Sequence, residues 1–225
     1  MRSHARIVLV SLLAGLLGIG CATSRGTLEV ARMDSANPSQ GRALRIAQVT
    51  DQRVFELAPA SPSTPSLKDG AIHDKSITSR AIARKRNSFG QALGDILLPE
   101  GDTVERLVGE SLTKGLRESG FRVLAQGDPG FEEATPLEVD IEKFWMWFSP
   151  GFWAVHMEFE GLVDVKGAVA SFEDGEQFKG YARQGAQAST EGQWMKTLQE
   201  GLDQLDRSIV ARLRGEPEPT PPAAQ

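Results

Sequence analysis

Apolar positions recur along this chain with two different periods, and the switches between them mark out its elements. Leu44, Ile46 and Val49 lie among β-compatible residues with Asp51 following as a turn former, which predicts an opening strand over 43–50. Val104, Leu107, Val108, Leu112 and Leu116 then share one face at helical spacing and predict a helix over 103–119. Its ends agree, because Asp102 can cap the free amides with Glu105 three residues on, and Gly120 supplies a left-handed stop. A short strand over 121–124 follows. Leu137, Val139 and Ile141 next alternate with Glu138, Asp140 and Glu142, and the phase slips at Lys143, which predicts a β-bulge or strand end there. The clearest strand covers 154–166, with Val155, Met157, Phe159, Val163 and Val165 on one face and His156, Glu158, Glu160, Asp164 and Lys166 on the other. Phe172 and residues 178–184 flank the turn signal Glu173, Asp174, Gly175 and read as a hairpin. A last helix over 190–213 buries Trp194, Leu198, Leu202, Leu205 and Ile209, with Thr190 and Gln193 as a capping box. This order predicts an α+β fold, a mainly antiparallel sheet with two principal helices packed on one face.

Residues 51–101 are less regular. They hold a short basic helix predicted over 79–87 and an apolar piece ending in Ile96, Leu97 and Leu98. Connections longer than about 12–15 residues without structure of their own are uncommon, so this stretch is either a functional loop or holds small elements.

A different pattern opens the chain. Arg2 and Arg6 precede an apolar run over 7–19 that stops at Gly20 and Cys21. The run fits a signal peptide and falls short of the ~20 residues a membrane-spanning helix needs. Cys21 is the only cysteine, and its place after Gly20 resembles the lipobox of bacterial lipoproteins, with Gly18 standing where leucine is usual. That resemblance implies cleavage between Gly20 and Cys21 and a diacylglycerol thioether plus an N-acyl group on Cys21, since stable anchoring takes more than one chain. Ala22 in place of aspartate implies, by the same resemblance, export to the outer membrane of a diderm bacterium. The expected division is a lipoprotein signal over 1–20, a lipidated N-terminus and flexible tether over 21–41, a single periplasmic domain over 42–214, and a disordered Pro-rich tail over 215–225.

Charge changes the picture only by exclusion. Thirty acidic residues face 25 basic ones, and two of the basic ones lie in the leader. A chain this acidic lacks the basic balance of a nucleic-acid binder.

The early strand ending in Val49, Thr50, Asp51, Gln52 and Arg53, the helix closing as Leu116 to Val123, and the Leu137 to Ile141 strand resemble the YajG-type family of bacterial lipoproteins, together with the lipobox. The layout is also similar to the N-terminal domain of TolB and to auxiliary lipoproteins of envelope transporters. The resemblance implies a compact periplasmic α+β domain tethered to the outer membrane. It brings no catalytic residues with it.

Enzymatic chemistry finds little footing in the residues. His73 and His156 are the only imidazoles beyond the leader, too few for a zinc site, and no nucleophile elbow, phosphate loop or dinucleotide fingerprint occurs. The Glu158/Glu160 and Glu138/Asp140 pairs have the look of a solvated strand face. The expectation is therefore no catalytic residue, no metal and no cofactor beyond the lipid. Two features exceed that background. Arg80, Arg84, Lys85 and Arg86 form a dense positive cluster, a candidate dock for anionic partners such as lipid headgroups, lipopolysaccharide phosphates or an acidic protein. Trp145, Trp147, Phe152 and Trp153 flank a Pro150–Gly151 turn as a candidate aromatic binding tip, with Trp145 and Trp147 on the face opposite Met146. The expected role is a non-catalytic binding or accessory function in envelope assembly or maintenance, the alternatives being an auxiliary subunit of an envelope transporter or a periplasmic glycan or lipid enzyme.

Overall fold

In the computed structural model, which describes residues 25–87, 91–150, 155–186 and 190–220, one long strand organises the sheet. The strands are β1 (Gly26–Thr27), β2 (Ala43–Asp51), β3 (Ala81–Arg86), β4 (Ala92–Leu97), β5 (Arg122–Val123), β6 (Thr135–Pro150), β7 (Val155–Gly167) and β8 (Glu176–Ala186). The helices are α1 (Lys75–Thr78), α2 (Val104–Glu118) and α3 (Glu191–Arg214), with a 3-10 segment at Lys68–His73 before α1. The α+β class is as the periodicity predicts.

The sheet is mixed rather than mainly antiparallel. β6, β7 and β8 form an antiparallel meander, while β2 with β6, β2 with β5, β3 with β6 and β1 with β4 are all parallel pairs. Alternation along a strand reports which face is dry, not which way its neighbour runs. Strands joined by short turns come out antiparallel here, and β2 reaches β5 and β6 only after a helical crossover, which suits parallel pairing.

The slip predicted at Lys143 is a bulge: the β6/β7 register shifts between Ile141 and Lys143. Before it Leu137, Val139 and Ile141 face the helices; after it Phe144 and Met146 do, while Trp145 and Trp147 join a separate cluster with Leu67, Ala81 and Leu97. The outer face is therefore dry in its middle, covered by the segment over 52–78.

The same point is a fork. One edge of β6 pairs with β2 up to Ile141 and with β3 at Met146. Arg53 closes the gap. Its guanidinium, fully buried, donates to the carbonyls of Ala81 (2.6 Å), Phe144 (3.0 Å) and Thr78 (2.8 Å) and pairs with both oxygens of Asp51 (2.8 and 2.7 Å).

Both principal helices form as predicted, with one shift at a cap. Thr103, not Asp102, accepts from the Arg106 amide at 3.2 Å, and Asp102 instead pairs with the Arg106 side chain at 2.9 Å. Thr190 caps α3, and Gly215, at φ 69°, ends it. α3 lies very close on the sheet: a Cβ on Gly180 would overlap the Gly201 carbonyl, and one on Gly201 would overlap the Phe159 ring.

Two further expectations are corrected. The helix over 79–87 is β3, an antiparallel partner of β4 with register shifts that break its alternation. The flexible tether over 21–41 is held to the domain from Arg25 onward: β1 pairs with β4, Leu28 is 1% exposed, and Asn37 exchanges bonds of 2.9 Å with the Val123 amide and carbonyl. At the other end, the Pro219 carbonyl accepts from Gln204 at 2.7 Å, which ties the start of the expected disordered tail to α3.

Candidate functional site

β3 determines what its cations can do. Arg80 donates from Nε to the Leu98 carbonyl at 2.9 Å and so helps close the turn into β3. Arg84 turns toward Asp95 of β4, its cross-strand partner, at 4.0 Å. Asp95 is completely buried, and it is also held by Arg25 Nε at 3.3 Å and by the Lys68 amide at 3.1 and 3.3 Å. Arg86 donates to Ser66 at 3.2 Å, and its pKa is pulled below the usual value by burial and by the neighbouring Arg84. Lys85 extends beside Gly26 of β1. The four residues therefore do not lie on the helix expected over 79–87. Instead they brace β3, β4 and β1, beside Arg25 and Lys68, each with 42% of its side chain exposed, and the more exposed Asp69 that faces Lys68.

The aromatic expectation changes as well. Trp145 and Trp147 are 2% and 8% exposed. Trp145 meets the edge of Phe55 at 5.9 Å between centroids and donates its indole N–H to the Pro62 carbonyl at 3.2 Å. They anchor the 52–78 cover rather than crown a free tip. Phe152 and Trp153 lie outside the described residues, as do Gly20 and Cys21.

Beside this cover the outer face is polar, and two of its carboxylates are held by neighbouring side chains. Glu158 accepts from the Tyr181 hydroxyl at 2.7 Å and from Ser149, and Arg183 stands 3.9 Å away. Glu160 bridges Lys143 and Lys179 at 3.0 Å each. Burial alone would raise its pKa, but the bonds from Lys179 and Lys143 outweigh that and hold it below the usual value. Tyr181 is pushed up to about 12 by burial and then by the Glu158 carboxylate. A carboxyl working as a general acid needs its pKa raised toward the working pH, and Glu160 moves the other way. Among the described residues no group of three or more His, Cys, Asp or Glu could hold a metal ion.

A third assembly, absent from the sequence reading, lies between the helices. Asp206 of α3 is 3% exposed and accepts from Ser111 and, at 2.5 Å, from Lys114 of α2. Burial raises its pKa, against the pull of those two partners. A cleft of 340 Å³ beside it is lined by Asp203, Arg207, Glu216 and Pro217. Asp206 follows Leu202 by four residues, on the apolar side of α3, and an acid there was the available signal. Asp95, directly before the apolar run Ile96, Leu97, Leu98, was another.

No family model matches this chain, and no curated protein matches it. Among solved structures, one titled only "Crystal structure of uncharacterized protein" is similar at 13% identity, covering 84% of this chain and 99% of that one with a TM-score of 0.45. No helix among the described residues is long and apolar enough to cross a membrane.

Proposed function

We propose that this protein is a lipoprotein held by Cys21 on the periplasmic face of the outer membrane of a diderm bacterium, serving a non-catalytic binding or accessory role in envelope assembly or maintenance, as the YajG-type resemblance implies. The observation that carries the reading is the sequence at 7–21: an apolar run too short to span a bilayer, ending at Gly20 and the chain's sole cysteine. The outer face supports the non-catalytic part, because its best carboxylates are tied down in pairs, Glu158 by Tyr181 and Ser149 and Glu160 by two lysines. The test is incorporation of labelled fatty acid in growing cells. Wild type takes up label and fractionates with outer membrane, and Cys21→Ser does neither. Equal labelling of the two would overturn the reading.

A further inference from the structure

We propose that the domain rests directly on an anionic phospholipid surface through the edge formed by β1 and β4 and the adjoining loop that carries Val54 and Leu57. This deepens the proposed lipid anchoring and rests on it.

The first argument is one of reach. Three residues separate Cys21 from Arg25, where the described domain begins, and the four steps of extended chain between them cover at most about 14 Å. A lipid on Cys21 therefore brings the β1 edge to the headgroups. The segment expected to act as a spacer is used up along the domain and adds no distance.

The second is charge. Between residues 52 and 100 seven Lys and Arg face five Asp and Glu, in a chain of net charge −5. One of those five acids, Asp95, is buried, and so is one of the seven bases, Arg53, paired with Asp51. Arg25, whose Nε lies 3.3 Å from Asp95, and Lys68, whose amide donates to Asp95 and whose ammonium lies 4.0 Å from the exposed Asp69, are half-exposed, and Lys75 of α1 is exposed. Attraction between exposed charges is felt over about 8 Å at physiological salt, so such cations act only on a surface held close, which the short link guarantees.

The third is apolar. Val54 and Leu57, 72% and 62% exposed, are the two large apolar side chains left open to solvent among the described residues. The Glu56 amide donates to the Pro65 carbonyl at 2.9 Å, and Lys68 follows Pro65 by three residues, at most about 10 Å of extended chain. Apolar side chains beside cations suit the boundary between headgroups and acyl chains.

The test uses the full chain, processed and lipidated in a bacterial host and placed in vesicles of phosphatidylethanolamine and phosphatidylglycerol that carry a spin-labelled quencher lipid. With Cys21 modified, a cysteine introduced as Leu57→Cys or Lys196→Cys is the only thiol to take a fluorophore. Lys196 is exposed on α3, which packs at the β8 side, five strand spacings or about 24 Å from β1. The probe at 57 is expected to lose roughly two-fold or more of its fluorescence while the probe at 196 is unchanged, with the loss reduced in 0.5 M salt or in pure phosphatidylcholine. Equal, weak quenching at both sites in protein that floats with the vesicles would overturn docking and leave the anchor intact. Protein that stays off the vesicles and labels at Cys21 would overturn the anchor and docking together. Quenching at 57 that is the same in phosphatidylcholine would overturn the role of charge.

Discussion

Arg53 is the residue whose loss should cost most for its size. It satisfies three carbonyls and the Asp51 carboxylate inside the fork, so Arg53→Met leaves a buried charge and three acceptors unmet. Breaking a buried pair in this way costs about 3–5 kcal/mol, to be read from urea denaturation. Arg53→Lys should recover little, because an ammonium cannot reproduce the planar fork. A second residue-scale prediction uses the chain's single tyrosine, so phenolate absorbance reports Tyr181 alone. Its midpoint should lie near 12 in the folded protein and move toward 10 in Glu158→Gln, which keeps an acceptor but removes the charge. The sign for stability follows. The folded state keeps a proton that the unfolded chain loses from about pH 10, so the contribution is full below pH 10 and disappears as pH rises through about 12. A midpoint of 10 in the folded protein would contradict the buried Tyr181–Glu158 bond.

Among the elements, the contact of α3 with the sheet makes the sharpest claim. Gly201→Ala places a methyl in the Phe159 ring and should destabilise by about 1–3 kcal/mol, although alanine is the better helix former. Gly192→Ala, in the same helix with nothing within 4 Å of its Cβ, should be neutral or stabilise by up to about 1 kcal/mol. Equal thermal melts for the two variants would show that the helix is not seated as described. α2, α3 and β7 could be read from the chain because each carries one clean period facing one core, and β6 because its period breaks only at Lys143, where the bulge showed as a slip in phase. β3 could not. Arg80 and Arg84 stand at helical spacing, yet the short apolar run Ala81, Ile82, Ala83 is equally a buried strand, and its pairing with β4 and β6 decides the matter. Strand direction was likewise hidden, since parallel and antiparallel neighbours leave the same alternation. The polar assemblies around Asp95 and Asp206 were missed because Arg25 lies 70 residues from Asp95, and Ser111 95 residues from Asp206, in the chain.

At the scale of the whole molecule, the fork in β6 lets one sheet carry two coverings: the helices on one face, and on the other a loop pinned by Trp145 and Trp147. β1 brings the start of the packed chain to the edge of that assembly, next to Asp95 and the Arg25 and Arg84 side chains turned toward it. In the proposed reading the anchor, the packed N-terminal segment and the half-exposed Arg25 and Lys68 belong to one arrangement, in which a short link would hold the domain against a membrane. Everything in that account depends on where the mature chain begins and what it carries. Mass spectrometry of the N-terminal peptide from protein extracted from outer membranes tests this most directly. The account predicts a peptide starting at Cys21 with the mass of a diacylglycerol group and one further acyl chain. A peptide that begins after Cys21, retains residues 1–20, or starts at an unmodified Cys21 would contradict it.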